Sequence, residues 1–180
     1  MDYMRIPLNR VAVLIGKDGE VKKKIEERAD IKLEVNSATG EVRIDDSESE
    51  KPLEAYSARN VVRAIGRGFS PEVAFLLFSE DYFFHEINIK DYSGRSKNRL
   101  HLIKGRLIGT GGKARRTIEE LADVHLSISG HYVAIIGQME NLEAAKKGIE
   151  MLLTGSNHST VYRYLERKRK ELKMARLGLV

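Results

Sequence analysis

The fold of this chain is decided by Leu107-Ile108-Gly109-Thr110-Gly111-Gly112-Lys113-Ala114-Arg115-Arg116-Thr117-Ile118-Glu119-Glu120. An apolar pair ends one predicted helix, a run of glycines follows, and a basic amphipathic segment begins the next helix. The same plan occurs earlier, where Leu14-Ile15-Gly16-Lys17-Asp18-Gly19 precedes Ile25-Glu26-Glu27. Two copies of one helix–loop–helix motif indicate an internal duplication.

The two copies align without a gap. Gly16 and Gly109 are 93 positions apart, and at this offset the window 14–35 contains ten identities in 22 positions. Ile31 and Val35 are also replaced conservatively, by Val124 and Ile128. Chance does not produce such a match, so the chain is predicted to be a duplicated small α+β unit.

Each copy has the predicted order strand, helix, helix, strand, strand, helix, because period-2 and period-3.6 apolar patterns alternate along it. In the first copy the elements are expected at 2–6, 8–15, 20–28, 31–35, 41–45 and 53–65. In the second copy they are expected at 86–90, 100–108, 113–121, 124–128 and 132–136, with a polar loop at 91–98, a helix capped by Asn141 and ending at Leu153, and a last helix from Thr160.

A segment rich in phenylalanine connects the copies. All five phenylalanines of the chain lie between Phe69 and Phe84, and Ser70-Pro71 is a good helix start. We interpret it as a short helix whose rings pack the two halves together, since apolar side chains surround them. The alternative is a platform on which bases stack.

Charge is concentrated in two places in this 180-residue chain of net charge +5. The segment Val161–Arg176 contains seven Lys or Arg against two acids, which equals the whole excess. The segment Ser93–Ile118, which surrounds the second glycine loop, contains eight basic residues and no acid. A block of one sign beside a glycine loop favours a site for a polyanion.

Other classes of protein are disfavoured by the sequence. It contains no cysteine, no apolar run that could span a bilayer and no signal peptide, so we expect a cytoplasmic protein. Gly109 to Ala114 formally fits the G-x-G-x-x-A of dinucleotide folds, but it follows a basic segment instead of a hydrophobic strand. The five histidines form no ligand pattern. We therefore predict no enzyme, no cofactor and no metal site.

On Leu14-Ile15-Gly16-Lys17-Asp18-Gly19 and Leu107-Ile108-Gly109-Thr110-Gly111-Gly112, the sequence resembles the KH family of RNA-binding domains in its type I order. The resemblance implies an α+β chain of two tandem type I KH domains, each β-α-α-β-β-α with a three-stranded antiparallel sheet packed on helices. We expect the first domain at 1–68, an aromatic connecting helix at 69–82, the second domain at 83–157 and a basic C-terminal helix at 158–180.

In KH domains the glycine loop clamps the backbone of about four single-stranded nucleotides, and an adjacent groove reads the bases. The second unit is expected to contribute most of the RNA affinity, because acids lie beside the first loop. The resemblance implies grooves lined by Ile15, Val21, Ile25 and Leu33, and by Ile108, Ala114, Ile118 and Leu126. The expected RNA-binding residues are Gly16, Lys17, Asp18, Gly19, Lys104, Arg106, Gly109, Thr110, Gly111, Gly112, Lys113, Arg115 and Arg116.

The segments Ile103–Gly109 and Thr154–Tyr162 narrow the resemblance to archaeal counterparts of a eukaryotic small-subunit assembly factor, the partner of the NOB nuclease. That family implies binding to small-subunit ribosomal RNA near its 3′ end during ribosome assembly. We expect a monomer, with a NOB-type nuclease or translation and assembly proteins as further partners. Eukaryotic members have a degenerate first loop, whereas Gly16–Gly19 is intact here. The alternative function is a protein-docking adaptor with only one active KH unit.

Overall fold

The computed structural model describes residues 1–179, which divide into two compact units. The first unit is Met1–Tyr82, and the second begins at Phe83. Within residues 1–179 no helix combines the length and the apolar character that crossing a membrane requires.

The first unit is a three-stranded antiparallel sheet packed on helices. Its strand order is β1-β3-β2, so the last strand lies between the other two. Leu33 and Ile44 are partners in the ladder, and both are buried on its inner face. The elements are β1 (Asp2–Arg5), α1 (Leu8–Ile15), α2 (Glu20–Ala29), β2 (Lys32–Val35), β3 (Glu41–Asp45), α3 (Pro52–Gly66) and the one-turn helix α4 (Pro71–Ala74).

The second unit has the same sheet topology, β4-β6-β5, with all pairs antiparallel. Its core includes Leu107 and Ile118 from two helices and Ile135 from the central strand. The elements are β4 (Phe83–Asn88), α5 (Lys90–Ser93), α6 (Lys97–Ile108), α7 (Lys113–Ala122), β5 (His125–Ser129), β6 (Tyr132–Gly137), α8 (Met139–Leu153) and α9 (His158–Arg176).

Two predictions about local structure were wrong. The strand expected at 86–90 begins at Phe83 and ends at Asn88, and the expected loop 91–98 contains most of the short helix α5. The side-chain oxygen of Asn88 accepts the N–H of Lys90 at 3.1 Å, which turns the chain out of the sheet. A single turn of helix has too few residues to show a periodic pattern in the sequence.

The second wrong prediction was that Asn141 caps its helix. The helix begins at Met139, preceded by Gln138, and Asn141 lies in its first turn, 5% exposed. Its side-chain nitrogen points to the carbonyl oxygen of Asp123 at 3.5 Å. A buried amide needs a polar partner, and here that partner comes from a residue distant in sequence.

The aromatic connecting segment belongs to the first unit. Ser70 caps α4 as predicted, since its hydroxyl accepts the N–H of Val73. Phe69 is buried, and the half-buried rings of Phe75 and Phe78 are 6.0 Å apart. The Arg28 guanidinium lies 5.4 Å from the centre of the Phe78 ring, so one side of this ring is already in contact with protein.

The repeated Ile-Glu-Glu segment, which lies in α2 and in α7, has a structural role in both units. Glu26 accepts the backbone N–H of Leu33 at 2.8 Å, and Glu119 accepts that of Leu126 at 2.9 Å. Each glutamate therefore fixes the start of a strand to the helix before it. The identity of the two copies at this position follows from folding and does not require a ligand.

Glu119→Ala is expected to lower the free energy of unfolding of the second unit by about 2 kcal/mol, because it removes a charge-assisted hydrogen bond to a strand amide. The ion pair with Arg115 is lost too, and it adds little at the surface. Chemical denaturation followed by circular dichroism measures the change. The neighbouring exposed Glu120→Ala is the matched control, and equal losses in the two variants would contradict this role.

The last helix, α9, packs on the second unit through Val161 and Leu165, which are both buried. Gly148 of α8 makes this contact close, since a Cβ there would lie 3.2 Å from the Leu165 side chain. Helix α9 begins at His158, two residues before the predicted Thr160, with Asn157 as its cap. Its N-terminus is therefore held against the body of the unit.

Candidate nucleic-acid interface

The two glycine loops have nearly the same backbone conformation. Gly16 has φ 76° and ψ 174°, and Gly109 has φ 72° and ψ 173°. At the third position of the loop, Asp18 (φ 53°, ψ 27°) matches Gly111 (φ 59°, ψ 23°). The duplication seen in the sequence is therefore a duplication of loop geometry.

The first glycine of each loop is required by its surroundings. A Cβ on Gly16 would lie 2.5 Å from the Val21 side chain, and one on Gly109 would lie 2.7 Å from the backbone nitrogen of Ala114. Both glycines also have a positive φ with an extended ψ, a region that is essentially closed to other residues. The loop backbone thus lies directly against the first turn of the next helix, whose N–H groups have no partner within that helix.

Charge distinguishes the two loops. In the first, exposed Lys17 and Asp18 are followed by Glu20 at the start of α2. Lys24 donates to Glu20 at 2.6 Å, and this hydrogen bond together with the Lys24 charge holds the pKa of the Glu20 carboxyl below its usual value. Residues 16–20 thus contain one base and two acids at neutral pH.

The second loop has the opposite sign. Residues 109–113 contain no acid, and exposed Lys113 is the first residue of α7. A cation at a helix N-terminus opposes the helix dipole, which favours the glutamate found at the equivalent position 20. A phosphate bound at this loop would contact both Lys113 and the helix amides, and this would offset the unfavourable interaction of Lys113 with the helix dipole.

Three arginines expected to face RNA have partners in the protein. Arg115 forms an ion pair with Glu119 at 3.3 Å, as Lys22 does with Glu26 in the first unit. The stretch 93–118 has no acid, but Glu119 follows it by one residue, so the prediction of unopposed charge was wrong for Arg115. Arg116 donates to the Gly111 carbonyl at 2.8 Å and lies on the loop itself.

Arg106 is also bound within the protein. Its guanidinium donates to the carbonyl oxygens of Leu152 and Ser156, which end α8 and precede α9. Its hydrogen bonds join α6 to the start of the last helix, and the contact of Arg106 with RNA stays a prediction. Lys104 is half-buried on α6 and, among residues 1–179, forms no ion pair; neither does Lys113.

The expected base-reading grooves are largely core. Ile25 and Leu33 in the first unit, and Ile118 and Leu126 in the second, are at most 5% exposed. Ala114 is also buried, at 3%. The residues of these sets that remain half-buried at the surface are Ile15, Val21 and Ile108.

A cleft of about 600 Å³ lies beside the second loop, and the sequence did not indicate it. It is bounded by Gly109, Thr110 and Lys113 on the loop side and by His158 and Tyr162 of α9 on the other. The two α9 residues are about 50 positions from the loop, so no local pattern links them to it. The nearest sequence signal was the segment Thr154–Tyr162, which had served only to narrow the family resemblance.

Residues 1–179 contain no group of three or more His, Asp or Glu placed to hold a metal ion.

Comparison with known proteins identifies related chains. The profile of the eukaryotic type KH-domain (KH-domain type I) family matches residues 83–170. A KH domain-containing protein of Methanocaldococcus jannaschii is 46% identical over 180 residues, covering 99% of this chain and 78% of its own length. The RNA-binding protein pno1 of Dictyostelium discoideum is 27% identical over 87% of this chain.

The pre-rRNA-processing protein pno1 of Schizosaccharomyces pombe is 26% identical over 73% of this chain. The chain spans 66% and 56% of the lengths of these two eukaryotic relatives. Among solved structures, the crystal structure of an a/eIF2alpha–aDim2p–rRNA complex from Pyrococcus horikoshii contains a similar chain. Its TM-score is 0.85 at 47% identity, with 94% of each chain covered.

Proposed function

The chain belongs to the PNO1/Dim2 family of KH-domain RNA-binding proteins of pre-rRNA processing, and from this premise we propose that it binds single-stranded small-subunit ribosomal RNA through its glycine loops. The second loop makes the main contact. One observation above all supports this: Gly109–Gly112 presents the first turn of α7 together with exposed Lys113, and no acid lies in the loop.

The proposed contacts divide by chemistry. The backbone of Gly109, Thr110, Gly111 and Gly112 lies close to the RNA backbone, and the helix amides and Lys113 face a phosphate. Lys104 and Arg116 add charge on either side. Arg106 and Arg115 support the site indirectly, through their hydrogen bonds to α8, α9 and Glu119.

The first unit is proposed to be a second KH domain, so that the chain is a tandem of two. The near-identical loop angles, the shared sheet order and the paired glutamates support this. Its loop Gly16-Lys17-Asp18-Gly19, followed by Glu20, is net negative, so its contribution to RNA affinity is proposed to be small.

From the family we propose that the chain binds near the 3′ end of the small-subunit RNA. On the same ground we propose a NOB-type nuclease, or a translation or assembly protein, as a partner. The net negative charge of residues 16–20 favours protein docking by the first unit as the second candidate function. The rRNA complex from Pyrococcus horikoshii also contains a/eIF2alpha.

Single-stranded RNA is expected to bind at least about tenfold more tightly than the matching duplex, since a glycine clamp needs an exposed strand. For about four phosphates, log K should fall with log[salt] with a slope of roughly −3. Fluorescence anisotropy with a 12-nucleotide strand of small-subunit 3′-end sequence, a scrambled strand and the duplex, at several salt concentrations, measures both quantities.

Two results would contradict the proposal: equal affinity for strand and duplex, or an affinity independent of salt. Crosslinking in cell extract followed by sequencing tests the placement separately. Enrichment at the 3′ end of the small-subunit RNA is expected, and enrichment elsewhere would refute that part alone.

A further inference from the structure

The start of α9 is fixed beside the second glycine loop by specific contacts. The side-chain oxygen of Asn157 accepts the N–H of Thr160 at 2.9 Å and caps the helix. A ring nitrogen of His158 lies 2.8 Å from the carbonyl oxygen of Arg106, near the end of α6. These contacts place Tyr162, one turn further along, on the wall of the cleft that begins at the loop.

The surface of this cleft is apolar and aromatic. Leu102 of α6 is 65% exposed, although it is a large aliphatic side chain. The rings of His158 and Tyr162 have centres 5.9 Å apart and are tilted by 56°. Lys113 supplies a positive charge at the loop end, and the described lining residues include no Asp or Glu.

Gly105 gives a second, independent indication that something enters this cleft. It lies inside α6, where a glycine costs about 0.5–1 kcal/mol relative to alanine. The fold does not require it, since a Cβ at this position would have no heavy atom within 4 Å and the equivalent residue in the first unit is Ala12. The missing side chain leaves open the wall of the cleft that α6 provides.

We propose that this cleft takes one nucleobase of the RNA strand whose backbone passes over the second loop, and that the base stacks on Tyr162 with His158 beside it. The inference rests on the proposed function. The cleft shares Gly109 and Thr110 with the loop, so a base in it belongs to a nucleotide next to the clamped phosphates. An aromatic face, an adjacent cation and the absence of carboxylates suit a base attached to a phosphate chain.

In this proposal, helix α9 gives the second unit a contact to a base in addition to its contacts with the RNA backbone. In the first unit, the chain after α3 forms the short helix α4 with Phe75 and Phe78 instead. Stacking is tolerant of base identity, so the cleft adds affinity at one position of the strand and little sequence preference.

The test is a scan of single abasic nucleotides along the bound strand, using the full chain. In the wild type, one position is expected to lose about tenfold in affinity when its base is removed. Tyr162→Ala should weaken the intact strand by a similar factor and should abolish the effect of removing that base. Tyr162→Phe keeps the ring and should behave as the wild type.

Gly105→Leu is expected to fold, because it replaces a helix glycine by a good helix former in open space. It should fill the cleft and weaken the intact strand about tenfold, while its melting temperature stays equal or rises. The matched controls are Tyr164→Ala, a half-buried tyrosine of the same helix outside the cleft, and Ala12→Leu, the equivalent position in the first unit. Both should bind the intact strand as the wild type does.

The outcomes separate this inference from the proposed function. If the abasic position loses the same factor in Tyr162→Ala and Gly105→Leu as in the wild type, the base lies elsewhere and the inference is overturned while the clamp stands. The same holds if both cleft variants bind the intact strand normally. If the wild type does not bind single-stranded RNA, both proposals fail.

Discussion

Replacing Thr110 and Gly111 by aspartate is expected to lower the affinity of the chain for single-stranded RNA by about 100-fold, since each carboxylate beside a phosphate costs roughly 1–1.5 kcal/mol. The variant should fold, because the chain already contains an aspartate in this conformation: Asp18 has φ 53°, and Gly111 has φ 59°. Anisotropy titration at fixed salt measures the loss.

The control for this prediction replaces the same two residues by asparagine, which has the shape of aspartate without its charge. It should lose much less affinity. The converse change in the first unit, Asp18→Gly with Glu20→Lys, should leave affinity equal or raise it. If the aspartate variant binds as tightly as the asparagine variant, the loop does not face phosphates.

Gly109→Ala is expected to destabilise the second unit by about 3 kcal/mol or more, because a forbidden backbone region and a close contact act together. A Cβ would lie 2.7 Å from the backbone nitrogen of Ala114 and 2.8 Å from its Cβ, and α7 cannot move away without opening the core around Ile118. Chemical denaturation and native-state hydrogen exchange of α7 measure this loss.

Gly111→Ala is the matched control, since Gly111 has φ +59° and open space around it. It should cost only about 1 kcal/mol, the penalty of a left-handed residue. If the two variants are equally stable, then contact with α7 does not explain the first glycine of the loop.

The helices and strands were largely predictable from the sequence because their signals are local. The helix Leu8–Ile15 and the strand Glu41–Asp45 were predicted with their observed bounds. The in-register repeat also made the topology predictable, since two copies with the same apolar pattern are expected to pack in the same way. The errors at α5 and Asn141 occur where a side-chain hydrogen bond affects the local structure. These bonds join the Lys90 N–H to the Asn88 side chain and the Asn141 side chain to the Asp123 carbonyl oxygen.

The candidate site was less predictable. The glycines and Lys113 were identified correctly as a loop with a basic flank, because their spacing and charge are properties of consecutive residues. The arginines were assigned by proximity in sequence, which did not reveal that Arg106 and Arg115 have partners within the protein. A guanidinium donates to whichever acceptor the fold brings near, and for Arg106 those acceptors are 46 and 50 residues away.

The sequence by itself determined the duplication, the position of both loops and the sign of charge around each, since all three depend only on residue order and type. Tertiary structure alone decided which basic side chains remain available and that α9 stands beside the second loop. The physical reason is that α9 is placed by burial of Val161 and Leu165 against α8, a contact between segments that are separate in the chain.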